Sequence, residues 1–473
     1  MNATVKRRLR LPRTAGAALV AAASTTVLFA TAHRTPSGQT EQERLIFSDP
    51  SGVQRTVATG GAIDLNNPFF QDLGSNGRTC FTCHRPAQAW TITPEELRDR
   101  FERTRGLDPV FRTNDGSDCE GADVSSLGRR RSAFSMLLSK GVIRIGLKVP
   151  DRAEFEIVDV DDPHGCGAPL TEASVFRRPL PSTNLAFLST VMWDGRETVP
   201  GQAIADDLTT QAMDATTGHA QGSPPSPVEL KAIVDFELQL FTAQTHDQRA
   251  GSLSAQDARG GARILSEQPF CIGVNDPLNI LPVMPGVCGT SSGGLNPNVF
   301  TLFDAWQNSH SPAQASIARG EEIFNSRAFV IEGVAGLNGG NGDPVSGPLA
   351  AGTCTICHDT PNAGNHSVAM PLNIGLADAS RRTPDLPLYT LKNRMTHQTI
   401  QTTDPGRAMV TGKWADVGKF KGPILRALAA RAPYFHNGSA ATIEEVVDFY
   451  NTRFNIGLTN REKTDLVAFL KAL

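Results

Sequence analysis

Apolar residues recur at helical spacing in several stretches of this chain, separated by long polar segments rich in glycine, proline and aspartate. Thr93-Pro94 pairs a capping residue with a first-turn proline, so a helix starts there and ends near Gly106. Ser226-Pro227 opens another, carried through Leu230, Ile233, Val234 and Phe241. Near Ser311-Pro312 a second domain begins, where Ser316 caps a helix with Ile317, Gly320, Ile323 and Phe324 on one face. Gly320 leaves room for a second helix to cross closely. Thr442 and Glu445 form a capping box, which puts Ile443, Val446, Val447 and Tyr450 on one buried stripe. Thr459 and Glu462 repeat the device ahead of Leu466, Phe469, Leu470 and Leu473.

Residues 107–180 and 251–300 read as loop-rich insertions, and 33–62 as a flexible lead-in. The β-rich runs 142–145 and 155–158 predict a small hairpin, while 336–352 is glycine-dense and reads as loop. The domains therefore run 63–310 and 311–473.

The first residues change the picture. Lys6, Arg7, Arg8, Arg10 and Arg13 precede an uncharged run of small and apolar residues that ends at Ala30-Thr31-Ala32. That is the layout of a secretory signal peptide over 1–32, and it predicts a periplasmic protein. A retained anchor is the alternative, since the run is nearly long enough to span a bilayer. No other stretch is long and apolar enough to cross a membrane. Removal of the segment takes away five cations and no acid, so a formal charge of −3 becomes −8. That balance argues against nucleic acid and for a soluble, mildly acidic protein with basic docking partners.

The chemistry lies in a repeated pentapeptide. Cys80-Phe81-Thr82-Cys83-His84 recurs as Cys354-Thr355-Ile356-Cys357-His358. Two thiols on one turn can each form a thioether with a porphyrin vinyl group, and the adjoining His supplies an axial nitrogen. A redox dithiol or half a zinc site is the alternative, but it would have to arise twice with only 8 Cys and 10 His in 473 residues. Two covalently bound haems c are expected. Helices flanking the second motif match the layout of a class I cytochrome c domain. The fold class is thus mainly α, with two class I cytochrome c-like haem domains, loop-rich insertions and a small β-hairpin. Cys119, Cys166, Cys271 and Cys288 remain, an even set that implies two disulfides in an oxidising compartment. The pairing stays open, although Cys119–Cys166 with Cys271–Cys288 keeps both bridges local.

The chain resembles the bacterial di-haem cytochrome c peroxidases and their relative MauG, which matures a tryptophan-derived cofactor in a dehydrogenase. The resemblance rests on both haem motifs and on Met192-Trp193-Asp194-Gly195-Arg196-Glu197. It also rests on Gly418-Lys419-Phe420-Lys421-Gly422-Pro423-Ile424-Leu425-Arg426, Ala432-Pro433-Tyr434-Phe435-His436-Asn437-Gly438-Ser439 and the segment 442–450. It implies a peroxidatic haem at Cys80, Cys83 and His84, facing an electron-transfer haem at Cys354, Cys357 and His358 across the domain interface. Trp193 matches the tryptophan that relays electrons or holes between the haems. Tyr450 falls where the peroxidases place a Met ligand and MauG a Tyr, which implies an oxygen ligand and a lower potential for the second haem. Met370, Met395 and Met409 lie off that position, and core packing explains them. His436 belongs to an element near the haem interface, with structural or catalytic duty left open.

The departures matter as much. Relatives carry a Glu beyond the tryptophan as the distal acid–base, with a Gln between. Here Gln202, Gln211-Ala212-Met213 and Thr217-Gly218-His219-Ala220-Gln221 follow, and no Glu aligns. His219 is the candidate acid–base with Gln211 orienting; an ordinary surface or core His is the alternative. Some relatives hold a removable distal His soon after the first motif, whereas the next His here is His164, so the first haem is expected to be open without reductive activation. The resemblance also implies an interdomain calcium bound partly by backbone carbonyls just before the His-x-Gly element. Pro433 matches, Arg431 replaces a Thr, and the Asn expected before the tryptophan is absent.

Three functions are carried forward. The first is a periplasmic peroxidase that reduces hydrogen peroxide at the N-terminal haem, with electrons passed through the C-terminal haem from a small cytochrome c or cupredoxin. The second is a MauG-like enzyme that oxidises an aromatic residue of a partner protein. The third is a non-enzymatic di-haem carrier, with Met136, Met192, Met213 or His219 closing the first iron.

Overall fold

The structure is a computed structural model that describes residues 44–271, 274–275, 296–340, 343–365 and 371–473. The expected signal peptide, Cys288 and Met370 lie outside these residues. Residues 42–473 form one compact unit. Among the described residues no helix is long and apolar enough to cross a membrane.

The helices follow their caps. Thr93 accepts the Glu96 amide at the start of Pro94–Thr104, and the chain leaves that helix through a left-handed Arg105 and Gly106. Ser226 and Glu229 form a full capping box for Pro227–Leu238. That helix stops before Phe241, which belongs instead to the strand Leu240–Asp247, because the continuous buried run 240–244 pairs in a sheet. Ser311, not Ser316, caps Pro312–Ser326, since Pro312 occupies the first turn. Ser316 sits inside the helix and its hydroxyl donates to Asp465 Oδ1 at 2.6 Å. Thr459 and Glu462 cap Asn460–Lys471 as expected. Thr442 caps Ile443–Arg453, but Glu445 reaches back to the amide of Ala441, one residue short of a capping box.

The Pro312–Ser326 and Asn460–Lys471 helices cross at Gly320. A Cβ there would lie 2.0 Å from the Asp465 carbonyl oxygen and 2.7 Å from Phe469 Cβ. Around this crossing a core of Phe300, Phe303, Phe324, Ile317, Phe469 and Leu470 continues to Ile356 within the second Cys-x-x-Cys-His motif.

The chain holds more sheet than expected, with several small antiparallel sheets standing beside its helices. Within the predicted lead-in, Arg44–Asp49 and Gly52–Ala58 form a hairpin that joins Leu240–Asp247 and Gly251–Ser252 in a four-stranded sheet. The hairpin expected between 142–145 and 155–158 does not form. Ile143–Lys148 pairs with Glu172–Arg177, and Phe155–Asp161 pairs with Leu388–Asn393, which in turn pairs with Thr399–Thr402. Their inward residues Phe155, Ile157, Val175, Tyr389 and Leu391 share one core, so burial selected the distant partners over the near one. The glycine-dense stretch ends in a short strand, Leu349–Gly352, paired with Phe329–Ile331. Cys119 and Cys166 are bridged with an S–S distance of 1.98 Å. Cys271 is also disulfide-bonded.

Candidate active site

Both pentapeptides form the same local structure. Cys80–Thr82 and Cys354–Ile356 are single 3₁₀ turns, and the His84 and His358 amides each donate to the carbonyl of the first Cys at 3.0 Å. The thiols of each turn line one cavity together with the adjoining His. Burial pushes the Cys80, Cys354 and Cys357 thiols up to about 12, and raises Cys83 as well. Among the described residues no group of three or more His, Cys, Asp or Glu is placed to hold a metal ion.

Each histidine is oriented through its Nδ1. His84 Nδ1 lies 2.9 Å from the Trp90 carbonyl and 3.0 Å from Ser182 Oγ. His358 Nδ1 lies 2.5 Å from the Gly364 carbonyl. A hydrogen on Nδ1 satisfies these acceptors and puts the lone pair on Nε2, the arrangement that second-sphere carbonyls impose on metal-binding imidazoles.

The His84 cavity brings together His84, Gln211, His219, Trp193 and Met192. Gln211 lies on the helix Ile204–Gly218 and His219 at its C-cap. Met136 is buried with Val142, Phe176 and Leu386, and neither Met136 nor Met213 lines the cavity. His219 Nδ1 lies 2.5 Å from Asp115 Oδ2, while Asp115 Oδ1 lies 2.5 Å from the guanidinium of Arg78. Asn76 and Arg78 also donate to the His219 carbonyl, at 2.8 and 3.2 Å. Burial alone would raise the Asp115 carboxyl, but the His219 hydrogen bond and the Arg78 charge outweigh it and hold it below the ordinary range. Asp115 and Arg78 escaped sequence reasoning, because nothing in the chain ties residues so far apart to His219.

The second cavity is lined by Cys354, Cys357, His358, Tyr450, Phe324, Leu372, Ile443, Val447 and Leu470. The Tyr450 ring centroid is 6.5 Å from that of His358. Burial drives the Tyr450 hydroxyl above its ordinary value. Of the three tyrosines, Tyr389 donates to the Ser174 carbonyl at 2.7 Å and Tyr434 to the Leu428 carbonyl at 2.9 Å. The Tyr450 hydroxyl makes no such bond among the described residues. Met409 is buried in a separate core, whereas Met395 is 84% exposed, which corrects its reading as core.

Trp193 lines both cavities. Its indole nitrogen donates to the Arg178 carbonyl at 2.8 Å, and its ring stands edge-on to His436 at 6.2 Å. His436 is fully buried and stacks on Phe420 at 4.0 Å, which marks it as packing against the tryptophan. Asp194 of the same motif is tied to Arg177, which also pairs with Asp404. Lys421 and Arg178 line both cavities as well. Lys421 Nζ has the Thr190 carbonyl at 2.9 Å and no carboxylate among the described residues, and burial holds it down to about 7. A buried ammonium without a counter-charge is costly. It fits a group that brings carboxylates into these cavities, as haem does with its propionates.

Two half-buried Cys-x-x-Cys-His turns with oriented histidines, apolar walls and an uncompensated cation describe a c-type haem protein. No protein-family model matches the chain. Over 132 residues it is 36% identical to the cytochrome-c peroxidase IdrP2 of Denitromonas iodatirespirans, covering 26% of this chain and 36% of that protein. Over 195 residues it is 31% identical to IdrP1 of the same organism, covering 36% and 44%. A shorter match, 42% over 76 residues, joins it to the cytochrome c551 peroxidase of Nitrosomonas europaea, covering 15% and 23%. The matches thus span less than half the length of these relatives. A solved MauG-like protein associated with microbial copper homeostasis aligns over 90% of this chain and 93% of its own, at 16% identity and a TM-score of 0.38. By sequence the chain is thus similar, over about a quarter to a third of its length, to bacterial cytochrome-c peroxidases.

Proposed function

We propose that this protein is an exported di-haem peroxidase that reduces hydrogen peroxide in the His84 cavity with electrons delivered through the His358 cavity. The chain would carry two haem modules, 63–310 and 311–473, each haem held through the two cysteines of its motif and by His84 or His358, with Tyr450 also holding the group in the second cavity. When bound, the haems supply the iron redox chemistry. The residues supply the rest. His219, with Nδ1–H held by Asp115, takes a proton at Nε2 from one peroxide oxygen and returns it to the other as the O–O bond breaks. Gln211 orients the peroxide in the same cavity. Trp193 carries electrons between the cavities. The observation that supports this reading best is that one tryptophan lines both cavities while a His–Asp–Arg array lines the first. Steady-state assay of peroxide consumption with a reduced small cytochrome or cupredoxin tests it. Saturable turnover that depends on the donor supports a peroxidase; no turnover with any such donor removes it.

The MauG-like reading is favoured by Tyr450 alone. A phenolic oxygen in place of a thioether suits a site that holds oxidising equivalents rather than passing electrons on. Peroxide-dependent oxidation of an aromatic residue on a co-purified exported protein, read by mass spectrometry, would select it.

A further inference from the structure

The calcium that the family resemblance calls for does not fit this chain. Of the two positions the resemblance points to, Pro433 matches, but the carbonyl of Arg431 accepts from Arg178 Nη2 at 3.1 Å. Arg178 Nη1 also donates to the carbonyls of Lys140 and Gly141, at 3.1 and 3.2 Å. These three oxygens come from the end of the helix Ser135–Lys140 and from the segment before the His-x-Gly element, so one guanidinium joins parts of the chain far apart in sequence. We propose that Arg178 is a built-in cation at this junction, standing where relatives would place calcium, and that the protein binds no structural calcium there.

Several observations carry this. Gly141 has φ +61°, and a Cβ on it would lie 2.2 Å from Arg178 Nη1, so the position both needs glycine's backbone freedom and leaves the space that the guanidinium fills. Arg178 is buried, and among the described residues no carboxylate pairs with it; its donors are spent on carbonyl oxygens, the ligand type a calcium ion would seek. A second buried guanidinium, that of Arg431, lies close enough to weigh on it. Burial first, then the Arg431 charge, hold Arg178 down to about 9, and only Tyr434 acts the other way. A divalent ion added beside Arg178 would meet repulsion from its guanidinium. The same residue also sets the relay tryptophan. Its amide donates to the His436 carbonyl at 2.6 Å and its carbonyl accepts from the Trp193 indole at 2.8 Å. The cation and the orientation of Trp193 are therefore coupled through one residue. The inference holds whichever reaction the protein catalyses.

The test uses the holoprotein as purified, treated with EGTA and then resupplied with calcium chloride. Metal analysis should find substoichiometric calcium, and neither treatment should move the thermal midpoint or the ferric EPR signals. One calcium per protein, removable with a fall in the midpoint, would overturn the proposal. A second measurement guards against an uninformative result. Arg178→Met should lower the midpoint by several degrees without any response to calcium, and Arg178→Lys should recover part of the loss. A Met variant as stable as the native protein would also overturn it. Should that variant fail to fold, chelation of the native protein decides alone.

Discussion

His219 owes its standing to Asp115. An imidazole with 39% of its side chain exposed is unremarkable on a helix end, but one tied at Nδ1 to a carboxylate that is itself tied to Arg78 has a set tautomer. Replacing His219 with Gln should lower kcat/KM for peroxide by about 10²–10⁴-fold, the usual worth of a general acid–base. Asp115→Asn should cost less, roughly 10–100-fold, because it disturbs the orientation of its neighbour rather than removing the proton carrier. Equal activity in all three proteins, measured with one donor, would remove His219 from the chemistry. His219 and Gln211 could be read from the sequence because they follow the tryptophan motif on one helix. Asp115 could not, since it sits 104 residues from His219 in a stretch that reads as loop.

Helix ends were the legible part of the fold, because a cap is a local device: Thr93, Ser226 and Thr459 each sit at the first turn they predict. Strand partners were not, because pairing is settled by which faces share a core. The run 155–161, inside the first insertion, finds its neighbour beyond residue 387, past the second insertion and a haem motif. Gly320 shows the reverse case, a single glycine whose meaning was plain. Gly320→Ala should destabilise the protein by about 1–3 kcal/mol, as overpacking at a tight crossing does, read from denaturant midpoints of the holoprotein. The buried Arg177–Asp194–Asp404 cluster ties the strand Glu172–Arg177 to the tryptophan motif. For Asp194, burial would raise the carboxyl, but the charges of Arg177 and Arg196 outweigh it and hold it at about 2. Its folded value is depressed, so its contribution to stability is full above about 4, the unfolded value, and is lost as pH falls toward 2. Asp194→Asn should therefore lower the thermal midpoint near neutral pH and flatten its decline in that acid window. An unchanged midpoint at pH 7 would show the cluster to be idle.

The two cavities share a wall made of Arg178, Pro179, Leu180, Pro181, Trp193, Lys421 and Ile424. In the proposed function, that shared wall would carry electrons from one site to the other. Trp193→Phe should leave both ferric signals in place and slow the response of the second site to peroxide. The most direct test is EPR of the ferric holoprotein before and after one equivalent of peroxide. The proposed function, with an open first site and Tyr450 ligating the second, predicts a high-spin signal beside a low-spin one, with both lost on addition of peroxide. Two low-spin signals indifferent to peroxide would contradict the peroxidase reading in the resting state and leave a di-haem electron carrier in its place.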